Sequence, residues 1–232
     1  MQLIVAKPSF HDFYLEPGHH SYKFSFALPH HLPSSFEHPS GRIRYKVFCL
    51  INFPMKYEVP IFRSFTVLSI LDLNMYENLR STDTVNITTS RKVCCCFHSG
   101  HVMSSLTVLK AGYVSGESIV FSLNINNNSS RTIRYVTIKL VQRVTIQNRS
   151  TFREVAAFYV TDPIGSRMAK NIYNAIIPIP PVCPTSNDKS KLIKVNYFLL
   201  LTLKSPRRRI RLRTDEITIP IGNLILDLNA LN

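Results

Sequence analysis

Between residues 119 and 125 the chain alternates strictly. Ile119, Phe121, Leu123 and Ile125 fall on one row, and Val120, Ser122 and Asn124 fall on the other. A period of two sends successive side chains to opposite faces of an extended strand, and no helix gathers such a row on one side. The segment ahead of it, Lys110-Ala111-Gly112-Tyr113-Val114-Ser115-Gly116-Glu117, reads as a turn. Asn126-Asn127-Asn128-Ser129-Ser130 ends the row, because Asn and Ser tolerate turn dihedrals and bond their own backbone. Val136, Ile138 and Leu140 then alternate with Thr137 and Lys139. Two patterned strands on either side of a polar turn predict an antiparallel pair with a single core face.

The same signature recurs. Over residues 191–204, Ile193, Val195, Tyr197, Leu199, Leu201 and Leu203 share one row, with Lys194, Asn196, Thr202 and Lys204 on the other. Phe198 and Leu200 also fall on that second row, so its middle is expected to be covered. Further strands are expected at 22–28, at 43–47 with Arg42, Arg44 and Lys46 facing outward, and at 65–73, 152–159 and 172–179. The prolines of 178–184 lack ladder donors, which confines that stretch to an extended edge or crossover. Long helical periodicity is absent. Many short strands with turn signals between them predict an all-β sandwich architecture.

Residues 76–92 read as a linker: Asn78, Ser81, Thr82, Asp83, Asn86 and Ser90 leave no sustained apolar face. The expected division is therefore a first unit over 1–75, the linker over 76–92, and a second unit over 93–232.

A length of 232 residues with 45% hydrophobic content supports a buried core and argues against general disorder. The net charge of +14 calls for an anionic partner or surface, with basic decoration of a solvated sheet as the bland alternative. The five cysteines, Cys49, Cys94, Cys95, Cys96 and Cys183, are odd in number, and three are adjacent, so they form no disulfide framework. They read as reduced thiols of a cytoplasmic protein. His98 is the sole nearby helper for a zinc site, and no metal is expected. The N-terminal apolar run stops at Lys7 and Pro8, too early for a secretory signal. No apolar run approaches the roughly twenty residues that cross a bilayer. The Asn-x-Ser/Thr triplets at Asn86, Asn127, Asn128 and Asn148 then read as chance matches.

Catalysis has little to stand on. His11, His19, His20, His30, His31 and His38 fall in or beside loops, and the 14 acidic residues are scattered, so no paired-carboxylate or triad constellation forms. Nor is there a phosphate-binding glycine loop. No enzyme activity and no cofactor are expected.

The sharpest local feature is the cationic run Lys204-Ser205-Pro206-Arg207-Arg208-Arg209-Ile210-Arg211-Leu212-Arg213. Ser205-Pro206 reads as a turn, after which Ile210 and Leu212 alternate with Arg209, Arg211 and Arg213. Guanidinium forks match phosphate oxygens in pairs, so Arg207, Arg208, Arg209, Arg211 and Arg213 form a candidate anion- or phosphate-binding surface for an acidic membrane or a phosphorylated tail. The bland alternative is a solvated strand whose charge blunts edge pairing. Nucleic acid ranks last as a partner, because no interleaved aromatics offer a stacking platform.

Residues 106–142, with Gly112-Tyr113-Val114-Ser115-Gly116-Glu117-Ser118-Ile119 and then Asn126 to Ser130, resemble the opening of the arrestin C-terminal domain. The resemblance is to the α-arrestins, the arrestin-domain-containing proteins. Tyr22-Lys23-Phe24-Ser25-Phe26-Ala27-Leu28-Pro29 and Ile43-Arg44-Tyr45-Lys46-Val47 look like N-domain pieces, and Phe65-Thr66-Val67-Leu68 with Asp72-Leu73-Asn74 resembles the passage between domains. Ile179-Pro180-Pro181, Ile193-Lys194-Val195-Asn196-Tyr197-Phe198-Leu199 and Ile219-Pro220-Ile221-Gly222 complete the order.

The resemblance implies two immunoglobulin-like β-sandwiches, the first incomplete over 1–75. It also implies a non-enzymatic adaptor for membrane receptors or transporters as cargo in endocytic sorting. Such an adaptor works in the cytoplasm, peripheral to the plasma membrane or endosomes. A ubiquitin ligase is an implied partner, but the Pro-Pro-x-Tyr motif for its WW domains is absent from the sequence. The short first unit is expected to be unstable alone unless a partner or second copy completes it, and a truncated gene model or splice form is the expected origin. A fragment with little autonomous activity is the competing expectation.

Overall fold

In the computed structural model, the structure describes residues 17–19, 21, 23–29, 32–49, 61–75, 85–93, 100–186, 192–204, 211–213 and 216–223. Within them every regular element is a strand apart from one 3-10 turn at Leu73–Met75.

Two sheets face each other. The first has the order β11-β8-β6-β5, built from Met168–Pro178, Ser118–Asn127, Gly100–Val108 and Val85–Val93. The second has the order β10-β9-β12-β13, built from Arg149–Val160, Tyr135–Ile146, Ile193–Lys204 and Arg211–Arg213, with β14 (Ile217–Thr218) also paired to β12. Two short strands, β7 (Tyr113–Val114) and β15 (Ile221–Gly222), pair in parallel. The apolar rows legible in the sequence meet between the sheets. Ile119, Phe121, Leu123 and Ile125 pack against Val136, Ile138, Leu140, Tyr197, Leu199 and Leu201, all buried in one cluster. Phe121 and Phe158 meet edge to face at 5.3 Å, the arrangement that aromatic quadrupoles favour. The all-β sandwich is as expected.

Its wiring differs in one respect. β8 and β9, expected to pair, lie in different sheets, so the connection between them crosses the sandwich instead of turning within a sheet. Asn127 holds the crossing. Its buried side-chain amide donates to the carbonyls of Arg131 and Gly165, both at 2.7 Å, and its Oδ1 accepts from Ser129 Oγ at 2.6 Å. That bonding closes the loop across the end of the sandwich and leaves both apolar rows facing inward. Asn127 is wholly buried, so its sequon offers no surface to a glycan.

β9 and β10 form the hairpin that β8 and β9 do not. Gln147 and Asn148 have φ of 45° and 68°, the left-handed pair of a type I′ turn, whose twist suits a two-residue hairpin.

Residues 17–75 contribute two two-stranded pairs, β1 (Phe36–His38) with β2 (Gly41–Ile43) and β3 (Tyr45–Cys49) with β4 (Ile61–Phe65). The strand expected across 43–47 is broken at Arg44, whose guanidinium grips both Glu37 oxygens and holds that carboxyl below its usual range. Residues 23–28 form no strand, and the strand expected over 65–73 ends at Phe65. Beyond it the chain runs extended, with Ser35 N–H bonded to Val67 O at 2.8 Å and Ser69 N–H to Ser34 Oγ at 2.9 Å. It then docks on the sandwich: Leu71 and Leu73 pack with Val114, and Leu71 and Asn223 exchange hydrogen bonds.

Residues 85–92, expected within the linker, belong to β5, which pairs with β6 along its whole length. An edge strand needs little apolar content of its own, so its polar composition carries no strand signal.

Candidate functional site

The two outer faces of the sandwich differ in chemistry. On the β11-β8-β6-β5 sheet the outward row mixes the neutral polar Ser105, Ser122, Asn124, Asn126 and Asn171 with the apolar Met103, Val120 and Ile176. On the other sheet, register aligns Lys139, Val141 and Arg143 of β9 with Leu200, Phe198 and Asn196 of β12. Phe152 and Glu154 of β10 flank Arg143 and Val141 from the opposite side. Thr137, Lys139, Val141, Phe152, Glu154, Phe198, Leu200, Thr202 and Lys204 line one shallow groove along this face. The expectation that the middle of this face is covered holds for Phe198, which is buried.

What covers it is a cluster drawn from three strands. The Arg143 guanidinium lies 4.8 Å from the Phe198 ring centre and 5.4 Å from that of Phe152, and the two rings meet edge to face at 6.2 Å. Arg143 also pairs with Glu216, and Lys139 pairs with Glu154. Two cations of this face are thereby compensated, and Arg143 is fixed as packing as well as charge. Lys194 and Lys204 are in no ion pair with a described carboxylate.

The candidate anion-binding residues meet this face at its border. β13 pairs with the end of β12, setting Arg211 opposite Lys204 and Arg213 opposite Thr202. Arg207, Arg208 and Arg209 lie outside the described residues. The backbone thus brings Arg211 and Arg213 to the rim of a groove with an apolar floor. Such an arrangement suits recognition of an anion carrying an apolar portion, through cations at the rim and contact along the floor.

Among the described residues nothing comparable supports covalent chemistry. Cys183 is half-buried against Tyr197, and burial pushes its thiol above the usual range, which keeps it protonated and weakly nucleophilic at neutral pH. Tyr197 donates to the Cys183 carbonyl at 2.7 Å and accepts from Gln142 Nε2 at 2.8 Å, a closed polar set inside the core. Cys49 is exposed, and Cys94, Cys95, Cys96 and His98 lie outside the described residues. Among the described residues no group of three or more His, Cys, Asp or Glu side chains is placed to hold a metal. His38 accepts from Ser40 N–H at 3.2 Å and stacks on Phe36, as a turn residue does. The cavity between residues 33–36 and the sandwich measures about 30 Å³, enough for a water molecule and too small for an organic cofactor.

Sequence reasoning found the cationic run and missed its surroundings. Gln142 was detectable as the one polar residue in the inward row of Val136, Ile138, Leu140 and Val144. The Arg143–Phe152–Phe198 cluster left no local signal, since its members come from strands paired only in the fold.

Two facing antiparallel sheets, with the chain crossing between them at Asn127 and one face bordered by cations, form a two-layer β-sandwich. Family models agree along the chain: the arrestin (or S-antigen) C-terminal domain matches residues 98–224, and the N-terminal domain matches residues 2–74. The chain belongs to the arrestin family, within its α-arrestin branch of arrestin-domain-containing proteins. It is 33% identical over 136 residues to arrestin domain-containing protein 17 of Caenorhabditis elegans, covering 59% of this chain and 32% of that protein. It is 29% identical to mouse arrestin domain-containing protein 4, covering 90% of this chain and 50% of the relative. Identity to rat arrestin domain-containing protein 1 is 24%, over 94% of this chain and 49% of the relative. The chain thus spans between a third and a half of the length of these relatives. Among the described residues no helix is long and apolar enough to cross a membrane.

Proposed function

We propose that this chain is a non-enzymatic adaptor that holds membrane receptors or transporters as cargo and links them to endocytic sorting and ubiquitin-linked protein transport. It works from the cytoplasmic side of the plasma membrane or endosomes. The observation that carries this reading is the arrestin sandwich itself, matched over residues 98–224, a fold that presents broad sheet faces. The incomplete first unit, expected over residues 1–75, and the sandwich that starts with β5 serve as two docking bodies.

The anion-binding surface is carried by Arg207, Arg208, Arg209, Arg211 and Arg213, of which Arg211 stands opposite Lys204 and Arg213 opposite Thr202. It engages acidic lipid headgroups at the membrane that carries the cargo.

Proximity labelling of the full chain in cells tests the adaptor reading. Enrichment of integral membrane proteins over a cytosolic control is expected, and no enrichment sinks it. Sedimentation with phosphatidylserine vesicles tests the surface separately. Arg209→Ala, Arg211→Ala and Arg213→Ala together are expected to weaken binding severalfold, and binding equal to that of the wild type removes the assignment.

A further inference from the structure

β10 stands at the end of its sheet, paired with β9 on one side and with no strand on the other among the described residues. The type I′ turn fixes which backbone groups face that open side. In a two-residue hairpin the closing pair, here Ile146 and Arg149, exchanges both backbone bonds, and bonded and non-bonded pairs then alternate. Arg149, Thr151 and Arg153 therefore bond β9, while the N–H and C=O groups of Ser150, Phe152 and Glu154 point away from it. Residues 149–154 are exposed throughout. A register shift between Glu154 and Ala156 then bends the strand and ends this run.

The side chains sort by row. Phe152, 57% exposed, sits on the row that faces the groove. Arg149 and Arg153 share the opposite row, and neither pairs with a described carboxylate. That charge decides what can add to the edge. A second copy laid antiparallel, in the register centred on Phe152 that matches all three outward residues, sets Arg149 of one copy diagonal to Arg153 of the other. Like charges so placed destabilise a strand pair. A strand carrying carboxylates at alternate positions reverses the sign.

We infer that the open edge of β10 over residues 150–154 accepts an added strand from an extended acidic segment of a partner protein. Its Asp or Glu residues seat against Arg149 and Arg153, and an apolar residue lies beside Phe152. Main-chain bonds to Ser150, Phe152 and Glu154 supply register, and the alternating side chains supply specificity. This names a partner chemistry for the adaptor reading and rests on that reading for its use in the cell.

The test is fluorescence anisotropy of the full chain with a labelled peptide alternating Glu and Val. Three arms accompany it: the same peptide N-methylated at alternate residues, the Phe152→Pro variant, and an Arg149→Glu/Arg153→Glu variant. Proline at 152 removes an outward donor while leaving the β9 ladder bonds in place. Each arm is expected to bind about tenfold more weakly or worse than the unmodified pair. Equal affinity for the N-methylated peptide, or an unchanged affinity in a folded Phe152→Pro variant, overturns strand addition. Unchanged affinity after reversal of both arginines overturns the acidic partner. If Phe152→Pro loses its circular dichroism signal, the N-methylated peptide on the wild type decides. Failure of the peptide alongside enrichment of membrane proteins in cells removes this inference and leaves the adaptor reading standing.

Discussion

The Asn127 amide donates to the Gly165 carbonyl at 2.7 Å, tying the crossing after β8 to the loop between β10 and β11. The same amide satisfies the Arg131 carbonyl, and Asn127 itself is fully buried. Removing it takes the side-chain donor from the Gly165 carbonyl and the acceptor from the Ser129 hydroxyl and N–H. Asn127→Ala is expected to lower stability by about 3 kcal/mol, the cost of leaving buried polar groups unmet. Asn127→Asp should not restore it, because a carboxylate has nothing to donate. Urea denaturation followed by circular dichroism measures both, and a loss below about 0.5 kcal/mol would contradict the role given to Asn127.

Two glycines should respond differently to alanine. Gly116 adopts φ of +91°, and the space a methyl would occupy there has no atom within 4 Å, so Gly116→Ala costs only the backbone strain, about 1 kcal/mol. A Cβ on Gly100 would fall 2.3 Å from Ser129 Cα and 2.7 Å from the Asn128 carbonyl oxygen. Backbone on both sides cannot yield cheaply, so Gly100→Ala should destabilise by several times as much. Comparable thermal midpoints for the two variants would refute this.

Leu73 is wholly buried between Leu71 and Val114. Leu73→Ala should cost about 2–5 kcal/mol through lost transfer energy and the cavity left behind. Its loosening should show first as faster hydrogen exchange in residues 66–74, ahead of the sandwich core. Uniform acceleration across β8, β9 and β12 would count against a local docking role.

Alkaline pH should unfold the protein in a defined window. Burial raises the Tyr113 phenol from 10.0 to about 12, and burial raises Tyr197 as well. The folded state therefore holds protons that the unfolded chain has lost, and stability falls as pH rises from about 10 toward 12. Below pH 10 this contribution is fully present. Phenolate absorbance from these two tyrosines should appear together with loss of strand signal, and Tyr197→Phe should remove one of the two. Ionisation of both in a still-folded protein would show that they are open to solvent.

The strand rows themselves were plain in the sequence, because burying one face of a sheet forces a period of two. Residues 193–203 show it at each position: every residue on the inward row of β12 is buried. A period cannot say which sheet a strand joins. The rows of β8 and β9 are equally apolar, and whether the chain between them turns or crosses depends on bonds made by Asn127 to Gly165, far along the chain. β5 escaped notice for a different reason. Asn86, Thr88, Ser90 and Lys92 alternate with Val85, Ile87, Thr89, Arg91 and Val93, a mixture that edge position tolerates. The cationic run was legible as charge, but its place beside Lys204 came only from the pairing of β13 with β12. Glu117 was read only as part of a turn, whereas its carboxylate accepts the Val114 N–H at 2.9 Å and pairs with Lys110 at 3.0 Å.

Leu71 and Asn223 hold each other by reciprocal bonds of 3.1 Å. Load applied to the chain ahead of β5 is therefore carried straight into the closing strand β15, bypassing the strands threaded between. Anything gripping the early residues would tug on the far end of the sandwich, giving an assembly a mechanical line between sites that the sequence keeps more than half the chain apart.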